Sequence, residues 1–235
     1  MRIAQISDTH ISLTVPSRSL DLARCVDQVN ALDPLPDVVV HSGDITHEGL
    51  VEEYEIAKRQ LQRLKAPFFV LPGNKDNREV LMEAFCGPAI PRNGFPFVQY
   101  AVDNFPVRIV CVDTLSVGSN KGDVCADRRE DLEGLLAAGG AKPAVVFMHH
   151  PPFDVPGIPD PFQFLSRGSA EATLEVLGRH KSVLGLFCGH IHRPLSTEVA
   201  GMPARVMTAG ALDLRKGKQE PVSEETPLFE VHDLD

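Results

Sequence analysis

The sequence has no C-x-x-C pair, no apolar run near the roughly 20 residues that cross a bilayer, and no surplus of positive charge. Its five cysteines (Cys25, Cys86, Cys111, Cys125 and Cys188) are irregularly spaced. An odd count without a pattern fits reduced thiols in a cytoplasmic protein rather than a disulfide framework. Cys111 and Cys188 lie in apolar runs and read as core residues. A net charge of -9 and a pI near 5.5 argue against nucleic-acid polymers and membrane surfaces as partners, since both are polyanions. The chain starts Met1-Arg2-Ile3-Ala4-Gln5 and enters a strand directly, with no leader pattern. Repeats, low-complexity segments and linkers are missing as well, so residues 1–235 read as a single domain of ordinary globular composition.

What is present is a series of short apolar runs alternating with amphipathic stretches. Ile3-Ala4-Gln5-Ile6 reads as the first strand, and Leu22, Val26, Val29 and Leu32 form one stripe of a helix over 20–32. Pro34 and Pro36 end that helix. Val38-Val39-Val40 is apolar at every position, as in a parallel strand covered on both faces. A second helix over 50–65 directs Val51, Tyr54, Ala57, Leu61 and Leu64 inward, and a third strand follows at 67–71. This succession predicts right-handed βαβ crossovers and an α/β fold. Beyond it the pattern predicts a helix at 78–85, a loop at 87–96 and antiparallel strands at 98–102 and 107–112. Helices at 128–138 and 170–179 and buried strands at 144–148 and 183–188 follow. Strands near 205–208 and 228–231 are expected to close a second sheet.

Five apolar strands stop at residues of one chemical kind: Asp8 and His10, Asp44, Asn74, His149 and His150, and His190 and His192. Singly, each has an ordinary explanation. Strand-end aspartates cap helices, Asn74 suits a turn after Pro72-Gly73, and one of two adjacent histidines can sit in a core. Jointly they bring oxygen and nitrogen donors suited to Mn, Fe or Zn to the strand edge where open α/β sheets bind ligands. On an extended chain, Asp-x-His and His-x-His each present two donors on one side. The same alternation sends His150 to the opposite face from His149, as a support rather than a ligand. Seven donors exceed the needs of one ion that keeps an open position. Two divalent ions about 3.5–4 Å apart, bridged by Asp44, accommodate them.

Asp8-x-His10, Gly43-Asp44, Gly73-Asn74-x-Asp76, His149-His150 and Gly189-His190-x-His192 resemble, in order, the five blocks of the calcineurin-like metallophosphoesterases. His149-His150-Pro151-Pro152-Phe153, Gly157-Ile158-Pro159, Asp113-Thr114 and Cys188-Gly189-His190-Ile191-His192 are most similar to the bacterial cyclic-nucleotide phosphodiesterase branch. The resemblance implies a two-sheet α/β/β/α sandwich. It implies Asp8, His10, Asp44 and His192 on one metal ion, and Asp44, Asn74, His149 and His190 on the other. It also implies hydrolysis of a small phosphodiester, a cyclic nucleotide or a similar cyclic or linear one, by a hydroxide bridging the two metals. Asn74, Lys75 and Asp76 then serve catalysis, and Asn74, Lys75 and His192 meet the substrate. The other readings are a phosphomonoesterase and a catalytically weakened metal-binding scaffold. The partner implied is a small phosphoester, and a homodimer is compatible with the sequence.

One departure from the family stands out. Lys75 occupies the place where relatives carry a histidine. Histidine, with an ordinary pKa about 6.5, exchanges a proton at neutral pH, whereas lysine, about 10.4, is a fixed cation. Lys75 is therefore expected to steady charge on the phosphoryl oxygens, with Asp76 orienting it. Asp113 and His47 are candidates for pocket or supporting roles, and Arg193 for a contact with phosphate. Arg18 reads as solvated surface. Substrate choice is expected in the loops 77–97, 116–125 and 153–168.

Overall fold

Three parallel strands lie side by side near the amino terminus: β1 (Arg2–Ile6), β2 (Val38–His41) and β3 (Phe68–Val70). The computed structural model describes residues 1–91, 94–217, 223 and 225–234, so positions 92 and 93 of the expected 87–96 loop lie outside it. The strands alternate with α1 (Ser17–Asn30), α2 (Val51–Leu61) and α3 (Arg78–Phe85), as the hydrophobic periodicity predicts. Asn77 starts α3 by accepting the Glu79 and Val80 amides at 3.0 and 3.3 Å. Glu53 reaches back at the start of α2, accepting the amides of Leu50 (3.4 Å) and, in the preceding turn, Glu48 (2.9 Å).

The second sheet uses β4 (Tyr100–Val102), β5 (Arg108–Val112), β6 (Ala144–Met148), β7 (Val183–Cys188), β8 (Leu195–Val199) and β9 (Met202–Val206). Its order is β4-β5-β6-β7-β9-β8, and β5, β6, β7 and β9 are parallel neighbours. Helices α4 (Ala126–Ala138) and α5 (Arg167–Arg179) belong to this half. Side-chain alternation divides these strands between two cores. Ile109, Cys111, Val145, Phe147 and Phe187 pack in one cluster with β1–β3, α1 and α2. Val110, Val112, Val146, Met148, Leu186 and Cys188 pack in another with Leu132 and Leu136 of α4 and Ala170 and Leu177 of α5. Helices, sheet, sheet and helices thus form an α/β/β/α sandwich.

The last strand, β10 (Glu230–Asp233), pairs antiparallel with β1 in the first sheet. The expectation that it closes the second sheet is corrected: a strand of either sheet carries the same apolar alternation. The edge strand β8 escaped prediction because Ser196, Thr197 and Glu198 are exposed and leave no hydrophobic pattern. Val51, expected to point inward, is 52% exposed at the first turn of α2. Among the described residues, no helix is long and apolar enough to cross a membrane.

Candidate metal centre

The carboxyl ends of β1, β2, β3, β6 and β7 converge where the two sheets meet, and each is followed by the expected polar residues. Backbone hydrogen bonds lace these ends together. The Asp8 amide donates to the Gly43 carbonyl (3.0 Å), the His10 amide to the Asp44 carbonyl (2.9 Å), and the Gly189 amide to the His149 carbonyl (3.0 Å). The His190 amide crosses between sheets to donate to Asp8 Oδ2 at 3.0 Å. Gly43 turns the chain after β2 with a φ of 102°. Gly73 lies so close to that turn that a Cβ would fall 2.2 Å from Asp44 Oδ1.

The donors are not presented by extended chain. Asp8, His10, Asp44, His190 and His192 all adopt left-handed backbone, with φ of 54°, 43°, 50°, 77° and 58°. Among the described non-glycine residues only Ala200 shares that region. Each such residue costs on the order of 1–2 kcal/mol, so the surrounding bonds hold five strained positions at one place. The alternation expected for Asp-x-His and His-x-His is thus replaced by paired left-handed turns beyond the strand ends. Nor does His150 face away from His149. Both lie past the end of β6, and His150 packs against His149 and His190 with ring centroids 4.9 and 4.4 Å apart.

Two donor groups result. Donor atoms of Asp8, His10, Asp44 and His192 lie within 4.8 Å of one another, as do those of His149, His150 and His190. Asp44 joins the groups: its Oδ2 is 3.4 Å from His10 Nε2 and 3.4 Å from His149 Nε2. Asp8 Oδ1 is 3.2 Å from His192 Nε2. The rings are aimed by what they donate to on their far sides. A carbonyl can only accept, so His149 Nδ1–H donates to Ser42 O (2.9 Å) and His192 Nδ1–H to Leu214 O (3.1 Å). Each arrangement turns Nε2 inward. Buried and without hydrogen-bond partners are His10 Nδ1, Asn74 Oδ1, His149 Nε2 and His150 Nε2. Orphaned donors and acceptors are rare in native interiors; a cation would supply the missing partner for those facing the site, so these residues fit a metal centre.

The electrostatics agree. Burial alone would raise both carboxyls, but His149 and His192 hold Asp8 well below the usual carboxylate range. His149 and His10 likewise bring Asp44 down to about 2. Burial opposes charge on His149, yet Asp44 and Asp8 carry it up to about 9. Burial pushes His190 down to about 3 and His150 well below its ordinary value. In the cation-free protein at pH 7.5, His149 is therefore protonated while His190 is neutral. Loading a cation onto His149 must expel that proton. Calorimetric titration with Mn²⁺ in buffers of different ionisation enthalpy should report release of about one proton per chain at pH 7.5, falling to none well above pH 9. Absence of release at pH 7.5 would contradict the assignment of His149.

Asn74 and Lys75 line a cleft of about 560 Å³ with His10, Asp44, His190 and His192. Lys121, Arg193 and Lys216 also line it, placing cationic side chains beside the donors. Asp76 is turned elsewhere. Its carboxylate accepts from the amides of Ile45 (3.1 Å), Thr46 (3.1 Å) and Gly73 (2.9 Å) and from the hydroxyls of Thr46 (3.0 Å) and Tyr54 (2.9 Å). Lys75 is not among these partners, so the expectation that Asp76 orients Lys75 is replaced by a role in holding the Asp44 and Asn74 turns together. Asp113 is likewise structural, accepting Arg78 at 2.6 and 3.0 Å. Arg18, expected at the surface, is 6% exposed. It forks onto Asp213 and donates to the His10 carbonyl at 3.4 Å. His47 stacks edge-on against His10, 5.7 Å between centroids.

The fold and the sequence both have counterparts among known proteins. A dimetal phosphatase from Danio rerio shares the fold, with a TM-score of 0.74 at 17% identity over 90% of this chain and 88% of that one. A probable glycerophosphodiester phosphodiesterase of Arcobacter nitrofigilis is 32% identical over 246 residues, covering 99% of this chain and 88% of the relative. A glycerophosphodiester phosphodiesterase of Enterobacter lignolyticus is 33% identical, covering 88% and 78%. A probable cyclic nucleotide phosphodiesterase of Rhodopseudomonas palustris is 31% identical, covering 97% and 86%. The profile of the calcineurin-like phosphoesterases matches residues 1–194, a span that contains every donor described above, and the chain belongs to that family.

Proposed function

We propose that the protein is a phosphodiesterase acting on small phosphodiesters, glycerophosphodiesters ahead of cyclic nucleotides, with two divalent cations drawn from Mn, Fe and Zn. Asp8, His10, Asp44 and His192 hold one cation, and Asp44, Asn74, His149 and His190 the other, with His150 packed beside the second. When bound, the pair supplies Lewis-acid charge and a water activated at neutral pH. The chain's own contribution is placement and charge. Asp44 stands between the two sets, and this is the observation that carries the reading. Asn74 and Lys75 meet the phosphoryl oxygens, and the Lys75 ammonium offsets negative charge that builds toward the leaving oxygen. His192 lies on the same cleft wall, and Arg193 is steadied there by the Gly157 carbonyl at 3.1 Å.

A diester suits the site better than a monoester because Asn74 and Lys75 also line a second cleft of about 720 Å³, with His47, Glu48 and Leu115. Two clefts meeting at the same pair of residues leave one space for each ester arm. The order of substrates rests on the glycerophosphodiesterase relatives; a cyclic nucleotide is the second reading, favoured by the relative named for that activity. The five cysteines are all free, which supports a reducing, cytoplasmic setting.

The test is hydrolysis of bis(p-nitrophenyl) phosphate by Mn²⁺-loaded protein with and without chelator, then a panel of glycerophosphodiesters, cyclic nucleotides and monoesters. Chelator-sensitive turnover with diesters preferred is expected; inert, fully loaded protein would support a scaffold instead. Lys75→His should raise turnover on alkyl esters, whose leaving groups need a proton, more than on aryl esters. Equal gains on both would contradict the fixed-cation role.

A further inference from the structure

We propose that Gln163 is a positioning residue for His190, setting which ring nitrogen that histidine offers to a cation. The inference rests on the reading of His190 as a ligand, and it starts from a contrast among the site's histidines. His149 and His192 donate through Nδ1 to backbone carbonyls and so present Nε2. His190 is held the other way round. Its Nε2 lies 2.8 Å from Gln163 Oε1, a side-chain acceptor from the Pro- and Gly-rich segment after His150. Gln163 is 8% exposed and lines the cleft.

The direction of that bond is decided at the far end of the amide. Gln163 Nε2 donates to the Asp160 carbonyl, which can only accept, so the amino group must face Asp160 and the oxygen must face His190. An oxygen acceptor requires a proton on His190 Nε2. A neutral imidazole carries one N–H, so Nδ1 is left as its lone-pair donor. Backbone bonds keep Gln163 in place independently of its side chain: the Gly122 amide donates to the Gln163 carbonyl (2.9 Å) and the Leu165 amide to the Gly122 carbonyl (2.8 Å). Lys121 adds a bond to the Phe162 carbonyl (2.9 Å) and an ion pair with Asp160 (2.8 Å). The loops expected to choose the substrate are thereby tied to the tautomer of one proposed ligand. Of the three acceptors that aim these rings, Gln163 is the one that a side-chain substitution removes.

The test reads the tautomer first, on cation-free protein, by long-range ¹H–¹⁵N correlation of the histidine rings, with His190 assigned by its loss in His190→Gln. The expected wild-type pattern is Nε2–H for His190. In Gln163→Leu that pattern should shift toward Nδ1–H or average between the two, while the His149 and His192 signals stay unchanged and report an intact fold. Gln163→Glu, which keeps an acceptor, should restore Nε2–H. Mn²⁺ titration should then show the second equivalent binding about tenfold or more weakly in Gln163→Leu, with Gln163→Glu closer to wild type. A Gln163→Leu protein with wild-type tautomer and affinity would overturn the proposal, as would a Gln163→Glu protein that behaves like Gln163→Leu. If wild type itself bound fewer than two Mn²⁺, the functional reading would fall, whereas the tautomer result would still decide the role of Gln163.

Discussion

Asp44→Asn should lower kcat/KM for bis(p-nitrophenyl) phosphate by about 10³-fold, the several kcal/mol that charge at a shared metal position supplies. Asparagine is the informative substitution because the local backbone is left-handed, φ 50°, a region it tolerates better than most residues. It also keeps an oxygen for the Lys75 amide, which donates to Asp44 Oδ1 at 2.8 Å. What disappears is one negative charge 3.4 Å from both His10 and His149. Since that charge is the leading cause that lifts His149, the variant should also release less than one proton per chain on taking up cation near neutral pH. A loss below tenfold with unchanged proton release would show that Asp44 is not the shared group.

Asp76→Ala should cost about 3–5 kcal/mol of stability while removing no proposed ligand. Three buried backbone amides and two hydroxyls would lose their acceptor together, and each buried unsatisfied group costs about 1–3 kcal/mol, less where water enters the cavity. For a domain of this size that corresponds to a fall in Tm of about 10 °C. Calorimetric melting of the cation-free protein checks it. Activity should fall too, because the Asp76 carboxylate fixes the Gly73 turn against the loop that bears Asp44. A variant that melts at the wild-type temperature would mean that the five bonds contribute nothing to the fold.

The contrast between these residues shows what the sequence makes legible. Val38 to Val40 and 144–148 are apolar at consecutive positions, and burial on both faces of a covered parallel strand has no other simple cause. Each donor is visible because it interrupts such a run with a residue of metal-binding type, and the structure brings the donor atoms of Asp8, His10, Asp44 and His192 within 4.8 Å of one another, the grouping that the family resemblance implies. The local geometry was not visible. Aspartate and histidine enter the left-handed region at a cost that composition does not record, so the sequence predicts extended pairs where turns occur. The long-range partners were hidden for a different reason. Asp76 reaches back to Ile45 and Thr46, Arg18 across 195 positions to Asp213, and Gln163 forward to His190. Such contacts depend on how elements distant in the chain pack together, which no periodicity encodes. Lys75 lines the cleft beside the donors, and it is the position the sequence singles out.

The most direct measurement is electron paramagnetic resonance of the wild-type chain titrated with Mn²⁺, read beside the Asp44→Asn variant. Two ions per chain with an exchange-coupled spectrum, uncoupled by the substitution, is the predicted result, because Asp44, whose carboxylate stands between the two donor groups, would be shared by both ions. Saturation at a single ion, or two ions whose spectra remain independent in the wild-type protein, would contradict it.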